Sequence, residues 1–317
     1  MYINREYIHL YQRRKNVAIG IICGFITAIL NSVGYLCSAN FLKRYNSPVR
    51  LLLFAHLVMM LPSIPVFLFL FPFNQLAEPA FFITSLLAWI VVFILGQGSF
   101  FIALKHCEAS RLSSLLGLKI IVLTIIFMLT KHEYPVMGQW TAVFMAAAAA
   151  MLINWTGSFR MSFKGWFFTF STLVFYSLCD INETNIVLTI VNSGYSGLKG
   201  SIISASAIYT VLGLVSLPGL FFLRPTKKQF LLSAPYALLW LSSQVFLMTC
   251  FAMVLPVFGN VILASRGLIS VVLGAMLSLV GLQKLDAAIS RKQWIYRAIA
   301  AILMIGAIAV YSFSTSA

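Results

Sequence analysis

Residues 110–130 read SRLSSLLGLKIIVLTIIFMLT, a run of membrane-spanning length with one lysine, Lys119, set in its interior. Leu112, Leu115, Leu116, Leu123 and Ile126 surround that lysine at helical spacings, so its ammonium has no short route to an interface. A charged side chain near the centre of a bilayer costs about 2.5–3.5 kcal/mol on insertion scales, unless it meets a partner, a water-filled cavity or a ligand. The situation recurs in residues 257–281, where Arg266 stands inside a second apolar run. Each cation has a glutamine at the same distance upstream, Gln97 before Lys119 and Gln244 before Arg266. One offset therefore relates both pairs, as two copies of a single membrane unit would.

Composition agrees with that reading. The 317 residues are 61% hydrophobic and 9% charged, whereas soluble domains carry about 25% charged residues. The formal charge is +15, but the basic residues are scattered in ones to threes between apolar runs. Nucleic acid, which requires a clustered basic face, is excluded as a partner. The five cysteines all fall in apolar segments, and their odd number gives no disulfide framework. Arg5, Arg13, Arg14 and Lys15 precede an apolar run that begins at Val17 and superficially resembles a secretory signal. The run exceeds the roughly 7–15 residues of a signal core, and is read as the first transmembrane helix.

A spanning helix needs about 20 apolar residues. On that measure the sequence predicts ten spans, at residues 17–39, 51–71, 80–104, 110–130, 137–154, 165–190, 200–223, 230–254, 257–281 and 293–311. They divide the chain into an N-terminal basic segment (1–16), a first five-helix unit (17–154), a linker (155–164), a second five-helix unit (165–311) and a C-terminal tail (312–317). Ser32 and Asn40 of the first span match Ser177 and Asn185 of the sixth at one offset, and Gln139-Trp140 opening the fifth matches Gln293-Trp294 opening the tenth. Because five is odd, the second unit enters the bilayer from the opposite side. The expected fold is an all-α membrane protein of ten transmembrane helices in two inverted five-helix repeats, an architecture that binds solutes near the midplane between the repeats. An even count puts both termini on one side. Most basic residues flank the odd-numbered loops, which by the positive-inside rule alone would place the termini outside, although the strongest local cluster is the N-terminal one.

The candidate site follows from the polar residues inside these spans. Lys119 is either a cavity-lining cation for an anionic group or half of a structural ion pair, for example with Asp180. Arg266 has the same alternatives, and its planar fork suits a carboxylate or phosphate; Ser270 follows one turn later on its face and Gly259 lies two turns before. Asp180 and Glu183 are the only acids within an apolar span, and with Tyr176, Ser177 and Thr184 they form one polar stripe. Asp180, the deeper, is the candidate coupling carboxylate for a proton or sodium ion. Glu183 is expected where the sixth helix emerges into water. Asn31, Tyr35 and Ser38 form the matching stripe on the first helix, beside Gly34; like Gln97 and Gln244, they serve either a cavity or interhelical hydrogen bonding. Trp89, Tyr209 and Trp240 are available to stack on an aromatic ligand or to fill space between helices. His56 and His106 lack metal-ligand spacing.

No cofactor, metal site or catalytic residue is indicated. Gly194-Tyr195-Ser196-Gly197 mimics the GxSG nucleophile of rhomboid proteases, but the last histidine, His132, precedes it, and Ser196 falls in an expected loop. There is no HExxH and no paired aspartate motif. The chain is therefore not read as an enzyme.

Ala103-Leu104-Lys105-His106 running through Ala109-Ser110 into the fourth span, then Gln139-Trp140 and the small-residue stretch Ala146 to Ala150, echoed in the ninth and tenth spans, resemble the drug/metabolite transporter (DMT) superfamily, specifically its bacterial ten-helix EamA-type members. The resemblance covers essentially the whole chain. It implies a secondary transporter with two EamA repeats, cytoplasmic termini and residence in the bacterial cytoplasmic membrane. Similar proteins carry proline about where Lys119 and Arg266 stand here, so the resemblance does not supply the substrate. The function expected is secondary active transport of a small organic metabolite or drug by alternating access, the alternative being exchange of anionic phosphorylated or nucleotide-linked metabolites. The partners expected are that small-molecule substrate, the lipid bilayer and a coupling proton or sodium ion, with oligomeric state left open.

Overall fold

Serine, threonine and proline punctuate the apolar runs, and the helices begin where these residues supply caps. Four starts show this. Ser47 accepts from Arg50 N, with Pro48 in the first turn, where its missing N–H costs nothing. Ser162 accepts from Gly165 N and Ser196 from Lys199 N. Thr226 and Gln229 close a reciprocal capping box. These helices start two or three residues before the apolar runs do, because the cap and first turn are polar. Ser196, the serine of the GYSG stretch, caps a helix.

A computed structural model describes residues 5–106, 112, 115–131, 134–153, 162–223, 226–269, 272–273 and 291–316, and no strand occurs among them. The order is α1 (Arg5–Tyr45), α2 (Pro48–Leu70), α3 (Pro79–His106), a 3-10 turn Leu116–Leu118 leading into α4 (Lys119–Lys131), α5 (Met137–Ile153), α6 (Phe163–Asn192), α7 (Gly197–Ser216), one turn at Gly219–Leu223, α8 (Lys227–Leu263) and α9 (Arg291–Ser316). Among the described residues six helices are long and apolar enough to cross a membrane: Val17–Tyr45 of α1, α2, α3, α7, α8 and Ile295–Ser314 of α9. Leu116–Thr130 and Met137–Ile153 are shorter apolar helices. The chain is an all-α integral membrane protein, as lipid requires of a segment that must satisfy its backbone internally.

α8 crosses the expected boundary between the eighth and ninth spans. It turns at Leu255, whose φ of 67° and ψ of 162° are foreign to a helix. Pro256 follows, and the residue before a proline is pushed toward extended ψ, which accounts for the ψ of 162°; the positive φ is one that a leucine rarely adopts. Residue 154 of the fifth span, 155–161 of the expected linker and 270–271 and 274–281 of the ninth span fall outside the described residues.

The helices associate in pairs: α1 with α8, α3 with α6, α2 with α7 and α5 with α9. Lipid tails are as apolar as leucine, so close backbone approach rather than hydrophobicity drives such pairing. Small residues provide it. Ala142, Ala146 and Ala149 of α5 are fully buried, and a Cβ placed on Gly117 would lie 2.5 Å from the Ala150 methyl. Two large apolar cores result, beside a small cluster of Phe41, Leu51 and Phe54 where α1 meets α2. One gathers α4, α5, α9 and the end of α8 around Leu123, Phe258 and Met304. The other gathers α2, α3, α7 and the start of α8 around Met59, Trp89 and Ile208. α6 serves both, because Cys179 packs into the second core and Ile181 into the first. Asp180 lies between them, at the seam.

Candidate functional site

Lys119 is the first residue of α4, immediately after the 3-10 turn. Its Nζ lies 2.6 Å from Asp180 Oδ2 on α6, with side-chain exposures of 19% and 9%. Asn260 of α8 donates Nδ2 to the same Asp180 oxygen at 2.6 Å and to Pro256 O at 2.8 Å. The Lys119 carbonyl accepts a bond from Ser177 Oγ of α6 at 3.4 Å. Of the two alternatives for Lys119, the ion pair with Asp180 is the one formed. Asn260 was not among the expected site residues; its signal was an amide six residues before Arg266 in an otherwise apolar run.

Arg266 is built the same way with different chemistry. α8 ends at Leu263, Ala264 and Ser265 form a turn, and Arg266 opens the next helical stretch. Ser265 N and Gly267 N each bond three residues back, to Ile262 O and Ala264 O, a locally tightened helix like the one before Lys119. The Arg266 carbonyl accepts from Ser32 Oγ of α1 at 3.2 Å. Ser32 and Ser177 are the serines matched by one offset in the sequence, so Ser32 of α1 stands to Arg266 as Ser177 of α6 stands to Lys119. At the side chain the two halves part. Where Lys119 meets Asp180, Arg266 meets Tyr35, which stands at the position of α1 corresponding to Asp180 of α6. The guanidinium donates to Tyr35 Oη at 3.4 Å, and its carbon lies 5.3 Å from the ring centroid. Among the described residues Arg266 has no carboxylate partner.

An aromatic group extends from this point. Trp240 of α8 stands edge-on to Tyr35, with centroids 6.3 Å apart and planes at 82°, and lies 5.8 Å from Tyr236. Trp240 Nε1 donates to Tyr209 Oη of α7 at 3.0 Å, and Tyr209 is 6.5 Å from Trp89 of α3. Trp89, Tyr209 and Trp240, offered as a set by the sequence, do lie in one chain of ring contacts, to which the fold adds Tyr35 and Tyr236.

Glu183 corrects an expectation. It does not emerge into water: it is 4% exposed, because α6 continues to Asn192 and packs there against α3 and α7. Glu183 Oε1 and Trp89 Nε1 are both buried without a hydrogen-bond partner. Beyond Glu183 on α6, Asn185, Thr189 and Asn192 line, with Glu78, a cavity of about 180 Å³.

The remaining candidates separate. Asn31 is occupied by packing, its Oδ1 accepting from Ser243 Oγ at 2.6 Å in the α1–α8 seam, where Thr27 also bonds Ser243 O. Ser38 bonds back to Tyr35 O. Tyr176 lies in the α3–α6 contact, its ring 2.9 Å from where a Gly96 Cβ would stand. Gln244 is buried on α8 and Gln97 half-buried on α3; neither bonds either cation. Ser270 lies outside the described residues.

No family model matches the chain, and no curated protein matches it. Solved structures do. A crystal structure of a protein aligns over 93% of this chain and 96% of its own, with a TM-score of 0.66 at 14% identity. At that identity the likeness is one of fold, and it extends across nearly the whole helical assembly.

Proposed function

We propose that the chain is a secondary active transporter of the drug/metabolite type, ten helices in two inverted five-helix units, moving a small organic solute by alternating access. The observation that carries this reading is the matched construction of the two cation sites. Lys119 and Arg266 each follow an interruption in their helix, and each carbonyl is held by a corresponding serine from the opposite half. Interrupted helices facing one another across a pseudo-two-fold axis are where inverted-repeat transporters place their solutes. Reciprocal packing supports the symmetry: α1 lies on α8 as α6 lies on α3.

Asp180 is placed for coupling in this scheme. It ties α4 to α6, and through Asn260 to α8, so the pair and its amide clamp the two halves in the conformation described. A proton or sodium ion taking the carboxylate releases Lys119 and loosens the clamp, linking ion movement to the rocking of one unit against the other. The cavity beside Glu78 and Asn192 supplies polar surface beyond Glu183 on the same helix.

The test is transport itself. Purified protein in liposomes, incubated with an isotope-labelled metabolite extract, should carry at least one organic solute across the bilayer faster than empty liposomes do. Compounds that stabilise the protein but never cross would refute the transporter reading.

A further inference from the structure

The two halves present the same frame but unequal charge. Seven acids occur in the chain, and only Asp180 and Glu183 lie within a span; Glu6, Glu78, Glu108, Glu133 and Asp286 lie outside the predicted spans. Asp180 is taken by Lys119 at 2.6 Å. Glu183 accepts no bond from Arg266, and its Oε1 is unbonded. Arg266 is therefore an intramembrane guanidinium with five N–H donors, of which the described residues use one, toward Tyr35 at 3.4 Å. A cation to which the described residues offer no carboxylate requires compensation from elsewhere.

We infer that the missing carboxylate belongs to the substrate: Arg266 binds the anionic end of an organic acid whose planar aromatic body lies against Tyr35 and Trp240. The body is assigned by the rings. Tyr35 is 42% exposed, so part of its ring stays open beside Arg266 and Trp240. Trp240 meets it at 82°, and the two planes form a corner that takes a flat ring stacked on one and edge-on to the other, the two favoured aromatic arrangements. Tyr209 holds Trp240 Nε1 at 3.0 Å and so fixes that corner. The guanidinium carbon, 5.3 Å from the Tyr35 centroid, sets the acid group close to the ring it accompanies. A single free cation suits one acid group. Lys119, already paired, takes no part in binding it. The inference rests on the transporter reading for the claim that this corner lies on a solute path.

Binding to the purified full chain, followed by thermal shift and calorimetry, tests it. The probes are indole-3-acetate, 1-naphthoate and benzoate, against the neutral indole-3-acetamide and the non-aromatic acetate. At least one aromatic acid should raise the melting temperature in a concentration-dependent way, with the amide and acetate binding at least tenfold more weakly. Arg266→Gln should weaken the acid by roughly ten- to hundredfold, the effect of losing a hydrogen-bonded charge pair, and leave the amide unchanged. Tyr35→Glu, which supplies the carboxylate internally, should abolish acid binding while melting at or above wild type; if that variant fails to fold, Arg266→Gln decides alone. Trp240→Leu should erase the preference for aromatic over aliphatic acids. The inference fails if no aromatic acid binds, if the amide equals the acid, or if binding survives Arg266→Gln. An aromatic acid that binds through Arg266 but does not cross vesicles refutes the transporter reading alone, whereas transport of other solutes without aromatic-acid binding refutes this inference alone.

Discussion

Removing one member of the Lys119–Asp180 pair should cost more stability than removing both. At 2.6 Å, the attraction of two unit charges in an effective dielectric of ~20 is about 6 kcal/mol before desolvation. Desolvating both ions takes back several of these, so the pair contributes little net stability relative to apolar residues of the same size. A single deletion is different, since it strands a buried charge, which costs about 3–5 kcal/mol. Lys119 keeps 19% of its side chain accessible, so Asp180→Leu belongs near the lower end, about 3 kcal/mol. Asn260 loses one acceptor in that variant but retains Pro256 O. Lys119→Met leaves the more enclosed Asp180 carboxylate with Asn260 alone and should cost about 3–4 kcal/mol. The double variant should return to within about 1 kcal/mol of wild type, a coupling of several kcal/mol where independent sites add to within about 0.5. Equilibrium unfolding of the four proteins in mixed micelles measures the cycle. Strict additivity, or either single variant within about 1 kcal/mol of wild type, would refute the argument.

Three further outcomes are expected. Asp180→Asn, which cannot exchange a proton, should stay folded and lose gradient-driven accumulation in reconstituted vesicles; wild-type accumulation would reduce Asp180 to an architectural role. Reporter fusions at Met1 and Ala317 should both report the cytoplasm, and disagreement between the two ends would rule out an even number of spans. Gly117→Ala, whose new methyl would stand 2.5 Å from that of Ala150, should destabilise the fold by about 1–3 kcal/mol as an overpacked contact, and Ala150→Gly in the same chain should recover most of the loss in the same unfolding assay.

The apolar runs and the cations buried in them were readable from the chain because the cost of placing a side chain in lipid depends on that side chain and its immediate neighbours. The same holds for the matching of Ser32 with Ser177 and of Lys119 with Arg266, which is a matter of residue type and interval. What the tertiary structure decided is which of these groups meet. Lys119 could line a cavity or pair with an acid, and only the packing of α4 against α6 selected Asp180; Glu183 was expected in water, but α6 runs on between α3 and α7. Tyr35 gave no sign of facing Arg266, because the contact depends on how α1 lies along α8. The turn before Arg266 was equally silent, since neither Ala264 nor Ser265 is a proline or glycine that would announce it. Partnership of charges inside a membrane is set by the relative placement of helices distant in sequence, and so it is the fold that pairs Lys119 with Asp180 and sets Arg266 against Tyr35.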